Sequence, residues 1–577
     1  VGQNAQVVDL LATNGTPNNT FNATNMVLAG GNLNVGNGGT NTFLRVGMRS
    51  AFTPGRTNDP VDALLDVSKQ TSFTANVGTV SMGIQGDGGN TCVGRILLAT
   101  NNTIITTFAG GIMIGDSTSA GNGASLPSTM TLGAGTNLID SAILTVGGAK
   151  TSGLMTLPVG GLLVLTNSGS GRANLTLANN TLNTSGNSRG TNDFSGGTVI
   201  ASVDQLIVGR KSGGGAGGAT GLLTLSTNAA NQVNAKDIFL GYMIGGSGTA
   251  TGILTIGGGS VLVTNVTLGF VAVAGSGNSA GILNLNGGTF SVAGAITNGL
   301  GSGTINMTNA TLITANPVGT LAAPVTKLAI TNSILQFGAS SVISNFAVSN
   351  LVAGGTANTI RIASAPTNNY SATLPLISYV NFSGTNNFQP DFTILSNTYS
   401  SLSFSGSIIT NNNVVLVNLT IANITTTTLN ALTASTYGQS VTFTATVSGT
   451  PTGGTVQFYD NGVALASPVP VISGQAQLTT STLIVSGHPI TAAYSGTTGF
   501  TPSTTASAST QTVSRATPVL TAPAAATISA YGQALTNATL SGGAATNNWN
   551  NVEVTGSFAY TAPATVPGAG TAAQGVT

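Results

Sequence analysis

A triplet of the form x-aliphatic-glycine returns about every thirty residues through the first half of the chain, and nothing else in the sequence limits the fold as much. It stands at Arg45-Val46-Gly47, Ser81-Met82-Gly83, Met113-Ile114-Gly115, Thr145-Val146-Gly147, Ile207-Val208-Gly209, Phe239-Leu240-Gly241 and Thr267-Leu268-Gly269. A weaker form is Thr297-Asn298-Gly299. The glycines are separated by 36, 32, 32, 62, 32, 28 and 30 residues; the 62 reads as two steps of 31 with a degenerate copy between them. After each glycine, a loop of Gly, Ser and Ala leads into Gly-aliphatic-x-x-aliphatic, as in Gly221-Leu222-Leu223-Thr224-Leu225 and Gly252-Ile253-Leu254-Thr255-Ile256. A third short apolar segment closes the unit, as in Val261-Leu262-Val263.

Self-similarity at such a period marks a repeat architecture. The apolar residues alternate with small polar ones, which is a strand pattern without helical period. Three short strands cannot bury a core alone. Stacked coil upon coil they can, each strand pairing with its equivalent in the next turn. The expected fold is therefore all-β: a parallel β-helix over residues 1–316, with about 30 residues per three-strand coil. About ten coils at ~4.8 Å per step make a rod of roughly 50 Å.

Charge agrees with this. Only 27 of 577 residues are charged, 14 Lys+Arg against 13 Asp+Glu. In an in-register stack, a charged residue at a repeated position would face its like about 4.8 Å away, at a cost of about 1 kcal/mol per pair even in water. Asn, Thr and Ser can instead bond along the ladder. The same numbers exclude other classes. A disordered polyelectrolyte would not be 41% hydrophobic. Nucleic-acid binding needs clustered Lys and Arg. Collagen needs a Gly-X-Y period. A membrane span needs a run of about 18 apolar residues, which the chain lacks.

From Asn316 the period is lost. Residues 317–424 still read as β, with longer spacing and the aromatics Phe337, Tyr379, Phe382 and Phe388, and are expected to be the irregular end or cap of the β-helix. Residues 425–514 alternate strictly, Val441, Phe443, Ala445 and Val447 against Thr442, Thr444 and Thr446, and carry the hairpin turn Asp460-Asn461-Gly462. About seven short strands here read as an Ig-like sandwich. Tyr531-Gly532-Gln533 repeats Tyr437-Gly438-Gln439 after 94 residues, so residues 515–577 read as an incomplete second Ig-like module. Its missing strands are expected either from a continuation of the chain or from another molecule.

Two resemblances follow. The x-Leu-x-Val-Gly pattern, its Gly/Ser loop and the following Gly-x-Leu-x-Leu, clearest over 251–297, resemble the passenger-type β-helix repeats of autotransporter-like surface proteins, in particular the Asn/Thr/Gly-rich exported proteins of Verrucomicrobia and Planctomycetes. That resemblance covers roughly residues 30–316 and implies export. Tyr437-Gly438-Gln439-Ser440-Val441-Thr442-Phe443 and Tyr494-Ser495-Gly496 resemble bacterial Ig-like domains found in tandem on surface proteins. Where that family often carries Asp, this chain has Thr497, which removes the carboxylate a calcium role would use.

The residues offer little for catalysis. β-Helix lyases and hydrolases use two or three clustered carboxylates. Here the densest charged segment is Arg45, Arg49, Arg56, Asp59, Asp62, Asp66 and Lys69, and it reads as a solvated loop. Asp87 reads as part of an ordinary turn. The run Gly213 to Gly218 lacks the Lys and Ser/Thr of a phosphate loop. Cys92 and His488 are the only residues of their kinds, so no disulfide and no Cys/His zinc site can be built within the chain. Trp549 is the only Trp and aromatics are 5%, so an aromatic sugar platform is not expected.

The expected function is that of an extracellular structural protein, a cell-surface scaffold or filament subunit that self-associates end to end or by donated strand. No catalytic, cofactor or metal site is expected, and no nucleic-acid partner or membrane span. The alternatives are an adhesin that binds glycan or surfaces, and a β-helix polysaccharide-degrading enzyme. The chain opens at Val1 without a basic and apolar leader, so any export signal is expected to have been removed or left out.

Overall fold

The computed structural model describes residues 3–5, 8–11, 22–36, 42–48, 61–85, 92–107, 110–117, 126–183, 185–273, 277–367, 370–521, 525–527, 530–548, 550–570 and 573–577. The chain divides into two units. One comprises Val1–Tyr399 and Phe404–Thr420, the other Ser400–Ser403 and Ile421–Thr577.

The first unit is a parallel β-helix with three faces. Face one recurs as Asn22–Ala29, Val61–Lys69 and Cys92–Leu97; face two as Asn32–Val35, Ser72–Val77 and Asn101–Thr106; face three as Phe43–Met48, Thr79–Gln85 and Ile112–Ser117. Each strand pairs in parallel with its equivalents in the coils before and after. In three successive coils faces two and three fuse into single bent strands, Thr198–Lys211, Gln232–Met243 and Ser260–Val271.

The repeated triplet builds face three and the corner after it. Its aliphatic residues form one unbroken ladder: Val46, Met82, Ile114, Val146, Leu177, Val208, Leu240 and Leu268 are successive register partners. All eight are 0% exposed. Each following glycine has a positive φ, from 58° at Gly269 to 77° at Gly209, which turns the chain out of the strand. Space is the second reason for glycine. A Cβ on Gly209 would strike the Thr251 carbonyl, and one on Gly147 the Arg189 carbonyl. The facing backbone is itself a glycine ladder on face one, Gly153, Gly190, Gly221, Gly252, Gly281 and Gly303 in register. A Cβ on Gly252 would meet the Val208 carbonyl and the Gly241 nitrogen. Two backbones thus touch at every corner of this edge.

The degenerate copy is found where the 31-residue step places it. Leu177 holds the aliphatic position and Ala178 the glycine position, buried and with φ 57°. A left-handed L-residue costs about 1–2 kcal/mol. Ala178→Gly should therefore raise stability by about 1 kcal/mol. Gly209→Ala should lower it by more, because it adds a carbonyl clash to the same dihedral penalty. Calorimetric melting of the two variants beside the parent checks both signs.

Polar residues bond along the stack. Asn284 donates to Thr255 Oγ1 at 3.2 Å, Asn306 to Asn284 Oδ1 at 2.8 Å, and Asn381 to Asn350 Oδ1 at 3.0 Å. Inside, the buried Asn102 donates to Asn137 Oδ1 at 2.6 Å. Asn137 in turn donates to the Gly133 carbonyl at 2.9 Å. A buried amide needs such partners to offset its desolvation.

Parallel pairing runs on past 316. On face two, Thr289 pairs Thr311, Thr311 pairs Ile334, Ile334 pairs Thr359 and Thr359 pairs Gln389. The sequence period ends earlier because face three shrinks. It is reduced to the bridges Ile296 to Val318 and Val318 to Phe346, and the last aliphatic-glycine step on it is Val318-Gly319, with φ 66° and the Ala347 carbonyl close by. The stack is closed by a helical turn, Thr393–Thr398, whose Leu395 is fully buried. The last face-one strand, Ser371–Gly384, is covered by an antiparallel strand, Val414–Asn423, with Leu402–Asn411 beyond it.

In the second unit, Thr427–Leu429, Val441–Val447 and Gln475–Thr480 form one antiparallel sheet. Thr455–Asp460, Ser486–Tyr494 and Ser509–Ser514 form the centre of another. Phe443, Ala445 and Val447 share a core with Val456, Phe458, Ile490, Ala492 and Tyr494, the packing of an Ig-like sandwich. Asn423 and Thr425 bond to Gly499 and Thr501, so the module's first hydrogen bonds lie just before residue 425. In residues 515–577, Val519–Thr521 pairs Ala544–Thr546 and Ala525–Thr527 pairs Thr539–Ser541, all antiparallel. The Tyr-Gly-Gln repeat has a backbone counterpart: Gly438 and Gly532 both have φ 82°.

Candidate functional site

The charged segment read from the sequence is dispersed by the fold. Arg45 lies on face three with its guanidinium 4.0 Å from the centroid of the Phe43 ring. Asp62, Asp66 and Lys69 lie on face one. Asp62 receives both arms of Arg95 from the next coil, Nε to Oδ1 at 3.1 Å and a terminal nitrogen to Oδ2 at 2.6 Å. Asp66 accepts from the Ser68 N–H at 2.9 Å and its hydroxyl at 2.6 Å. Arg49, Arg56, Asp59, Asp87 and Trp549 lie outside the described residues. Among the described residues, no group of three or more His, Cys, Asp and Glu is placed to hold a metal ion.

Two further pairs of opposite charge meet between neighbouring coils. Arg361 and Asp391 are register partners and meet at 2.7 Å. Burial alone would raise the Asp391 pKa, but the Arg361 guanidinium and the N–H and hydroxyl of Thr393 outweigh it and hold the carboxyl below its usual range. Lys236 and Asp204 are a looser pair at 3.8 Å.

The Gly213 to Gly218 run is a stacking corner. A Cβ on Gly217 would strike the Gly186 carbonyl, one on Gly248 the Gly217 carbonyl, and one on Gly277 the Gly248 carbonyl. Its N–H groups are also partly committed, Gly213 to the Asn180 carbonyl and Gly218 to Asn187 Oδ1. Cys92 is buried on face one.

His488 is buried inside the Ig-like module on the strand Ser486–Tyr494. Its Nδ1 is 2.6 Å from Asp460 Oδ2 and its Nε2 is 2.8 Å from the Ile484 carbonyl. Both partners are acceptors, so only the imidazolium satisfies both at once. Burial opposes that charge, but the Ile484 carbonyl and the Asp460 carboxylate prevail and the pKa is raised above its ordinary value. A His–Asp pair is two thirds of a hydrolytic triad. Here the second ring nitrogen is already held by Ile484, which leaves none to activate the nearby Ser486 or Thr482 hydroxyl. The geometry is that of a clamp between the hairpin at 460 and the strand at 488. The clamp's contribution is complete below the ordinary histidine pKa near 6.5 and is lost as pH rises through the folded value. The module's melting temperature should thus fall on going from pH 6 to pH 9, and His488→Gln should flatten that dependence. Calorimetry at several pH values, with the imidazole titration followed by NMR, checks it.

One stripe on the coils was not legible from any motif. In four later coils the residue after the corner position is only half-buried, and these residues are in register: Asn179, Arg210, Tyr242 and Phe270; in earlier coils the place is taken by the buried Ile84 and by Gly148. Asp116 belongs to the same row, paired with Ile84 and lying beside Gly148. Burial pushes the Asp116 carboxyl up to about 6, against a lowering hydrogen bond from the Ser117 N–H. The Tyr242 and Phe270 rings stack with centroids 4.9 Å apart and planes at 22°. Phe239, two residues before the corner, brings a third ring 4.8 Å from Tyr242. All three rings are half-buried. The fold therefore assembles an outward aromatic group from a chain poor in aromatics. The one signal for it was the identity of the residue after the repeated glycine.

Residues 426–514 match the family model described as bacterial Ig-like domain (group 3). No curated protein and no solved structure matches the chain.

Proposed function

We propose that this is an extracellular structural protein, a cell-surface scaffold or filament subunit without catalytic activity, that self-associates through its coil stack. The Ig-like match supports the surface setting, since bacterial Ig-like domains are typically found in exported or surface proteins. Among the described residues, no helix is long and apolar enough to cross a membrane.

The observation that carries the reading is the strand Leu402–Asn411. It stands last in the 15-stranded sheet of face one, with no further partner strand among the described residues. Its ten residues, LSFSGSIITN, include no charge and no proline. Proteins that must stay monomeric usually blunt such an edge with Lys, Pro or a bulge. An unblunted edge adds strands from other chains through its free N–H and C=O groups. The near-zero net charge of +1 also leaves little repulsion between copies.

Electron microscopy at neutral pH should show ordered assemblies whose amount rises with protein concentration. Ser405→Pro and Ser407→Lys, placed on exposed edge positions, should each suppress them while leaving the melting temperature within a few degrees of the parent. A protein that sediments as a monomer at high concentration, or assemblies indifferent to both substitutions, would remove the support for this reading.

A further inference from the structure

The stripe after the corner glycines has the make-up of a carbohydrate site. We propose that Asn179, Arg210, Phe239, Tyr242 and Phe270 bind a polysaccharide carrying carboxylated sugars, laid along the stack across successive coils. The inference does not depend on self-association, which rests on a different strand.

Three observations lead to it. First, the aromatic rings are outward and half-buried on a β-sheet whose inward positions are already filled by aliphatic ladders. They are not needed to complete the core. A near-parallel pair such as Tyr242 and Phe270 offers a flat apolar surface, the complement of the C–H face of a pyranose ring. Beside it the floor is low and hydroxylated: Thr267 and Thr297 follow Phe239 in the adjacent row, their hydroxyls 3.4 Å apart.

Second, Arg210 is the register partner of Tyr242 and has no carboxylate partner among the described residues, whereas Arg95, Lys236 and Arg361 each have one. Its Nε is shielded from solvent, as is Asn179 Oδ1 one coil earlier, and both lack a hydrogen-bond partner there, so a ligand carboxylate would be met by the two terminal nitrogens of the guanidinium. A guanidinium next to an aromatic surface suits a planar carboxylate, which it can bind through two parallel hydrogen bonds. A uronic sugar supplies a carboxylate and a stacking face on one ring.

Third, the patch is small. Three rings and one cation fall well short of the roughly 1,000 Å² that a stable protein interface buries. They fit an extended ligand laid along a row of different residues, here four coils long.

The test is affinity electrophoresis of the full chain through gels containing polygalacturonate, with the methyl-esterified polymer as its uncharged counterpart. Retardation is expected on polygalacturonate and should be weaker on the ester. Tyr242→Leu and Phe270→Leu keep an apolar cover over the sheet and should each weaken binding about tenfold on both polymers. Arg210→Gln should weaken binding to the acid about tenfold, the size of one charge-assisted hydrogen bond, and leave the ester unchanged. Melting temperatures of the variants within a few degrees of the parent separate lost contacts from lost folding. No retardation on either polymer overturns the proposal, as does binding that the Leu variants leave intact. Equal binding of acid and ester, unmoved by Arg210→Gln, overturns the role of the carboxylate.

Discussion

Every side chain in the coil stack has its equivalents about 4.8 Å above and below it, and each position must tolerate what stands there. Most of the structure follows from that constraint. Inside, it selects aliphatic residues that stack without leaving gaps, as in the ladder from Val46 to Leu268. At the corner it selects glycine twice over, once for the positive φ and once for the backbone that passes on the other side. On the outer faces it selects Asn, Thr and Ser, whose hydrogen bonds join one coil to the next. Some of the few charges are met by the opposite sign in the neighbouring coil, as at Arg95 with Asp62 and Arg361 with Asp391, and others stand among neutral neighbours, as at Arg189 and Lys327. The low charge of the chain and its high glycine content are two results of one geometry.

The same constraint explains which parts of the molecule could be read from the sequence. Positions on face three are confined on every side, so Val146-Gly147 and Leu240-Gly241 repeat almost without variation, and the step of 31 locates Ala178 although its residue type departs from the pattern. Positions on the turns between faces are confined on one side only. Their lengths vary, and the register step on face two is 40 residues from Leu33 to Phe73 but 22 from Thr289 to Thr311. Past Asn316 the ladders continue while face three dwindles to single bridges, and the visible period goes with it. The loss of a sequence repeat marks the shrinking of one face and not the end of the stack.

The Ig-like module was legible for a different reason. The alternation of Val441, Phe443, Ala445 and Val447 reports a two-sided sheet locally, without help from any repeat. Its buried ion pair was not legible. Asp460 and His488 are 28 residues apart, and only the pairing of Thr455–Asp460 with Ser486–Tyr494 brings them together. The outward stripe of the coils was hidden in the same way. Composition counts aromatics over the whole chain, whereas a stack concentrates any that fall at one phase of the repeat. Phe239, Tyr242 and Phe270 span 32 residues in sequence and occupy two neighbouring coils.

A stack of this kind must still end, and its ending shows how the constraint is lifted. An open last coil would expose three parallel edges and the apolar interior between them. Here the interior is stopped by Leu395 on a single helical turn. Face one turns antiparallel at Val414–Asn423, so that strand is no longer bound to repeat the coil beneath it. Its inward residues, Val415, Val417, Leu419 and Ile421, remain buried and aliphatic. What is left at that edge is one strand, Leu402–Asn411, freed from the register of the coils yet still without a charge. Inside the stack, neutrality is required by the neighbours. At this strand no like neighbour requires it, and a lysine would cost little. That the edge nonetheless remains neutral is the point at which the low charge ceases to be explained by folding and becomes an argument about association.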